Sequence, residues 1–204
     1  MSSSNNPQNL LNVTVHPPNS SDPSLSSTAF PYEEFLGTWH VAASSLPLWK
    51  SRKNVTLSYS RIDDKPPSEC FLDTVHYNSE GAEADAEPSE VIGVDHVDVM
   101  DEGKGNGARW TWKGQGLLQV ASSSWQVLGY RLSTQKNNTL MRDDWAVIYF
   151  SSTLFTPAGL DILVRYPAQF NKETMERIIE VCKGSDDEEL SKVSEGIFRV
   201  HQDQ

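Results

Sequence analysis

Apolar and polar residues alternate in short runs along most of this chain, and stretches with turn chemistry separate the runs. A period of two sends successive side chains to opposite faces of a strand, so each run reads as a half-buried β-strand. The pattern places strands near 36–44, 54–61, 70–77, 91–99, 107–113, 117–121, 124–131, 144–151 and 159–165. Between them lie "DDKPPSE", "DEGKGNG", "KGQG", "STQKNN" and "TPAG", rich in the residues that turns select. The stretch from 107 to 131 reads as a three-stranded meander. One segment changes period: in "NKETMERIIEVCKG", Met175, Ile178, Ile179 and Cys182 recur at three and four, the stripe of an amphipathic helix. Asn171 can cap its start and Gly184 its end.

Many antiparallel strands followed by one helix predict an all-β domain with the helix packed outside. The spacing alone allows either a barrel or a sandwich. Residues 1–30 are rich in Ser, Asn and Pro and read as a disordered leader, because they cannot bury enough apolar surface to offset ordering entropy. Residues 31–184 form the barrel and helix, and 185–204 an acidic C-terminal tail in which "GIFRV" adds a short strand or drapes on the surface.

Charge narrows the range of partners. The formal net charge is −11, so a phosphate backbone or an anionic membrane surface would be repelled. Much of the acidity sits in "SEGAEADAEPSE" and "SDDEEL", which read as solvated segments. No run approaches the ~20 apolar residues of a membrane span. The start lacks the basic and apolar regions of a secretory signal. Cys70 and Cys182 are therefore expected as thiols and the protein as cytoplasmic.

The motif Gly37-Thr38-Trp39 at the head of the first strand resembles the signature of the lipocalins. A second match lies at the far end, where "LDILVRYPAQFNKETMERIIEV" is similar to the last barrel strand and C-terminal helix of bacterial-type lipocalins. The middle motif is matched loosely, with Asp144, Trp145 and Tyr149 in "RDDWAVIYF". The resemblance is to divergent, lipocalin-like (calycin) proteins of the fungal and bacterial cytosolic type. It implies an antiparallel barrel of eight to nine strands, with one C-terminal α-helix outside. It also implies that Gly37, Trp39 and Arg165 close one end, the guanidinium lying across the indole.

Alternation then assigns an inner face. Strand two offers Val55, Leu57 and Tyr59; strand three offers Phe71, Asp73, Val75 and Tyr77, or the opposite set with Leu72 and His76. Later strands offer Ala108, Trp110 and Trp112, then Trp125, Val127 and Gly129, then Trp145, Val147 and Tyr149. Aromatics at this density either fill a barrel or line a cup for a flat apolar molecule. On the cup reading Val41, Tyr59, Phe71, Tyr77, Trp110, Trp112, Trp125, Gln126, Arg131 and Trp145 contact the ligand. His96 and Asp98 share one face of a strand but lack a third ligand, so no metal is expected, nor any cofactor.

GxSxG, HExxH, Walker and dinucleotide motifs are absent. Two functions remain: a carrier of an apolar metabolite, or a cofactor-free cyclase. Lipocalin-like barrels of fungal biosynthesis include Diels–Alder and hetero-Diels–Alder catalysts acting on polyketide or terpenoid intermediates. The resemblance thus implies a pericyclase with Tyr149, His76 and Asp73 as catalytic candidates, the chamber holding the reacting π-systems together. A filled barrel serving protein interaction is a third reading. Monomer and homodimer are both open.

Overall fold

The computed structural model describes residues 12–83, 85–98, 106–116, 121–133, 143–153 and 156–203. Eight strands, β1 (Gly37–Ser44), β2 (Arg52–Ser60), β3 (Cys70–Ser79), β4 (Ser89–Val97), β5 (Arg109–Gly114), β6 (Ser122–Arg131), β7 (Trp145–Phe150) and β8 (Gly159–Val164), pair antiparallel in chain order. Pairing of β8 with β1 and of β1 with β2 closes the barrel. The strand expected at 117–121 falls mostly outside the described residues.

The first strand serves two neighbours. Its first half, Gly37 to His40, pairs with β2, and its second half pairs with β8. The gap left beside β2 is filled from the C-terminus by a short strand, β9 (Phe198–Arg199), which pairs with Ala43 and Ser44. Beyond it His201 bridges to Lys53, and the Gln202 amide donates to the Val41 carbonyl at 2.9 Å.

Helix α1 (Tyr32–Phe35) precedes β1 and carries Phe35 into one end of the barrel. Helix α2 (Lys172–Lys183) starts where the periodicity predicts, with the Asn171 side chain accepting from the Thr174 N–H. It buries Met175, Ile178 and Cys182 against the outside of the wall. A second helix follows where an acidic tail was expected. Helix α3 (Glu188–Glu195) is capped by Asp187 and buries Leu190 in the same layer. Its acids lie on the solvent side, so a charge-rich composition hid an amphipathic face.

Residues 12–30 also depart from the expected leader. Val13 and Val15 pack on the outer apolar layer, the His16 N–H donates to the Leu128 carbonyl, and Leu25 and Phe30 are buried beneath the barrel. A few apolar residues, widely spaced among serines and prolines, are enough because the wall supplies the surface they cover.

Two apolar layers result. The inner one fills the barrel and its lower end. The outer one joins Leu128, Trp145, Val147, Tyr149, Leu160, Ile162 and Val164 of the wall to α2 and α3. Strands β7 and β8 are therefore covered on both faces.

Candidate functional site

The closed end is built around Arg165. Its guanidinium carbon lies 3.7 Å from the centre of the Trp39 ring. Nη1 donates to the Thr38 carbonyl at 2.9 Å, and Nη2 donates to the carbonyls of Glu34, Phe35 and Leu36 at 2.9, 3.2 and 2.7 Å. One planar fork thus satisfies the carbonyls that α1 leaves open at its end. The Trp39 indole N–H donates to the Phe35 carbonyl at 2.9 Å. Gly37 turns the chain into β1 at φ +99°, a left-handed value, and a Cβ there would stand 3.1 Å from Arg165 Nη1.

Above this floor the lower barrel is packed with rings. Trp110 and Trp125 stack with centroids 4.4 Å apart; Phe35 lies parallel to Trp110 and to Tyr59, and Tyr59 to Trp125. Phe71 and Val41 are fully buried in the same cluster. The ring-filled and the hollow readings of the interior each describe half of it.

The upper half is open. A cavity of about 260 Å³ lies between Leu46, Leu48 and Trp49 at the mouth and Tyr59, Asp73 and Trp125 at its base, with Leu57, Val75, Trp112 and Phe150 on its walls. The Trp112 indole reaches it by crossing Gly93, where a Cβ would come within 2.2 Å of the ring nitrogen. At the rim, Arg52 stacks on Tyr77 at 4.0 Å and lies 5.6 Å from Trp49.

The polar groups inside are carboxyls. Asp73 of β3, Asp95 of β4 and Asp161 of β8 are buried within the barrel. Asp95 accepts from the Trp125 indole N–H at 2.7 Å, and Asp161 from that of Trp49 at 3.1 Å. Each acid keeps one buried oxygen without a hydrogen-bond partner among the described residues: Asp73 Oδ1, Asp95 Oδ2 and Asp161 Oδ1. Burial raises all three above the ordinary carboxylate range, Asp161 to about 7, and Asp73 pushes Asp95 further up. Asp73 is the one of the three that lines the cavity.

The expected ligand set divides in the folded barrel. Tyr59, Trp112 and Trp125 line the cavity with Asp73, while Tyr77 flanks the mouth. Val41, Phe71 and Trp110 lie in the packed floor. Five assignments to the interior are corrected. Tyr149 and Trp145 face outward into the layer beneath α2 and α3, and the Tyr149 hydroxyl donates to the Glu189 carboxylate. The inner positions of β7 are Ala146, Ile148 and Phe150. His76 is on the outer face, 3.0 Å from Glu90. Gln126 turns outward to accept from the Asn19 N–H at 2.8 Å, and Arg131 stands opposite Trp145 near Asp144. The proposed catalytic trio therefore does not converge.

Sequence reasoning missed Asp95, Asp161 and the rim pair Leu48 and Trp49. The acids alternate in phase with inward neighbours, Asp95 with Val97 and Asp161 with Leu163, which is the signal that was available. Cys70 and Cys182 are both free and buried, and burial pushes the Cys182 thiol up to about 12, away from nucleophilic chemistry. Among the described residues no helix is long and apolar enough to cross a membrane.

No known family profile matches the sequence, and no curated protein matches it. Solved structures do. Lobster apocrustacyanin A1 superposes with a TM-score of 0.56 at 13% identity, covering 94% of this chain and 92% of that one. The H1 crustacyanin of the lobster Homarus americanus gives 0.53 at 13% identity over 94% and 91%. The siderocalin Ex-FABP, described as functioning through dual ligand specificities, gives 0.51 at 13% identity over 84% and 95%. At such identities the likeness is one of architecture: this chain folds as an eight-stranded lipocalin-like barrel, with an extra strand and helices outside.

Proposed function

We propose that the chain binds a small, flat, apolar molecule in the upper half of its barrel. The observation that carries this reading is the cavity itself: about 260 Å³, walled by Trp112, Trp125, Phe150 and aliphatic side chains, with Asp73 at its base. Stacking and apolar burial supply affinity in such a site, and a few polar groups orient the ligand. Its volume suits a molecule of two or three fused rings. Replacing Val75 by Trp would fill the chamber from a wall position. Quenching of intrinsic tryptophan fluorescence by an apolar dye should be saturable in the native protein and lost in Val75→Trp with the circular dichroism unchanged. A native protein that shows no saturable quenching would end this reading and leave a filled interaction domain.

A second reading, a cofactor-free cyclase of the Diels–Alder or hetero-Diels–Alder kind acting on a polyketide or terpenoid intermediate, is favoured by Asp73 alone. A carboxyl that burial raises to about 7 keeps a protonated form at neutral pH, a hydrogen-bond donor in an apolar chamber able to polarise a carbonyl while the walls hold the reacting π-systems. Tyr149 and His76 have no part in it. Incubation with candidate dienes, followed on a chiral column, separates the two readings. Catalysis demands a rate and product ratio that change with Asp73→Asn, whereas a carrier returns the uncatalysed ratio. The free thiols of Cys70 and Cys182 fit a reducing compartment, and we place the protein in the cytoplasm.

A further inference from the structure

We propose that the molecule held in this chamber is an aromatic organic cation, a flat amine or iminium whose positive nitrogen sits against the Asp73 carboxylate. The inference rests on the binding reading above and names the class of ligand.

Asp73 is only 6% exposed, it borders the cavity, and its Oδ1 has no partner among the described residues. A buried polar oxygen without a partner costs free energy that a Leu or Val at the same place would not. A chamber meant for a neutral hydrocarbon gains nothing from it. Behind Asp73 stands Asp95, its diagonal neighbour across the β3–β4 pair, with Oδ2 also unpartnered. Asp161 and the Tyr59 hydroxyl complete the charged or titratable groups within the barrel near it, and Arg165 lies at the floor beneath Trp39. The interior therefore holds three acids, and its one described cation near them is already bound to four backbone carbonyls.

The walls suit a cation as well as the acids do. Indole and phenol faces attract positive charge, most strongly where water is excluded. The rim already shows the geometry, with the Arg52 guanidinium on the Tyr77 face. A cation entering the chamber passes these rings and meets a carboxyl with a free oxygen. Burial raises that carboxyl to about 7, so in the empty site at neutral pH part of it is protonated and binding a cation ionises that part: the O–H bond breaks, the proton leaves to solvent, and the carboxylate pairs with the ligand nitrogen.

Three acridines of matched shape test this on the full chain at neutral pH: 9-aminoacridine, a cation; acridine, neutral; and acridine-9-carboxylate, an anion. Titration calorimetry in two buffers of different ionisation enthalpy reads affinity and proton release together. The cation should bind at least tenfold more tightly than acridine, the anion most weakly, and only the cation should release protons. Asp73→Asn should remove both the preference for the cation over acridine and the proton release. Equal affinity for the cation and for acridine overturns the proposal and leaves the apolar-ligand reading standing. So does a preference that survives in Asp73→Asn. Failure of all three to bind overturns both. The comparison among ligands on the native protein does not depend on the variant folding.

Discussion

Arg165 shows how much one side chain can organise. Its fork holds four carbonyls and its plane covers Trp39, so the end of α1, the start of β1 and the end of β8 share one anchor. Arg165→Met should cost roughly 3–5 kcal/mol in urea denaturation, from carbonyls left unpaired and a lost cation–π contact. Arg165→Lys should recover little of this, because one ammonium cannot serve acceptors arranged for a planar fork. A lysine variant as stable as the native protein would show that charge alone matters. Gly93 is a second residue whose role is steric. Gly93→Ala drives a methyl into the Trp112 indole, so it should shift tryptophan emission and weaken dye binding several-fold. The pairing of Trp39 with Arg165 was legible because both lie in short motifs that resemble those of the lipocalins. The surroundings of Asp73 were not, since one acid in an alternating run reads the same whether it caps a loop or borders a cavity.

At the scale of elements, the strands and α2 were legible from period alone, and the faces of β7 were not. Every residue from Trp145 to Tyr149 is buried, because the barrel interior covers one side and the two helices the other. A strand covered on both sides has no polar face to set its phase. The aromatic positions were assigned inward and are outward. In β6 a bulge between Val127 and Gly129 shifts the phase midway and turns Tyr130 inward beside Phe30. Tyr149→Phe should accordingly leave dye affinity unchanged while costing about 1 kcal/mol of stability, the worth of one hydrogen bond. Helix α3 offers a sharper check. Leu190→Ala should destabilise by about 2–4 kcal/mol if the segment is part of the fold, and by almost nothing if it is a solvated tail.

For the whole molecule, the buried acids tie stability to pH. Asp161 rises to about 7 in the folded protein from an ordinary 3.8, and Asp73 and Asp95 shift the same way through burial. The native state then holds these protons more tightly than the unfolded chain does. Their contribution is complete below the unfolded value and is lost as pH rises through the folded one. Thermal unfolding should therefore occur at a lower temperature at about pH 8 than at about pH 5, and Asp161→Asn should flatten the slope. Asp22 and Asp203 shift downward and oppose the trend, but both are exposed to solvent. A melting temperature that climbs across this range would mean that the acids are ionised and paired. The sequence by itself located the eight barrel strands, α2 and the residues that close the floor, because period, turn chemistry and short motifs are local properties. Only the tertiary structure decided which half of the barrel is hollow, which faces of β6 and β7 turn inward, and that three distant acids share one interior. Those outcomes depend on what covers each strand from outside and on where the rings of different strands meet, and neither is written in any single segment.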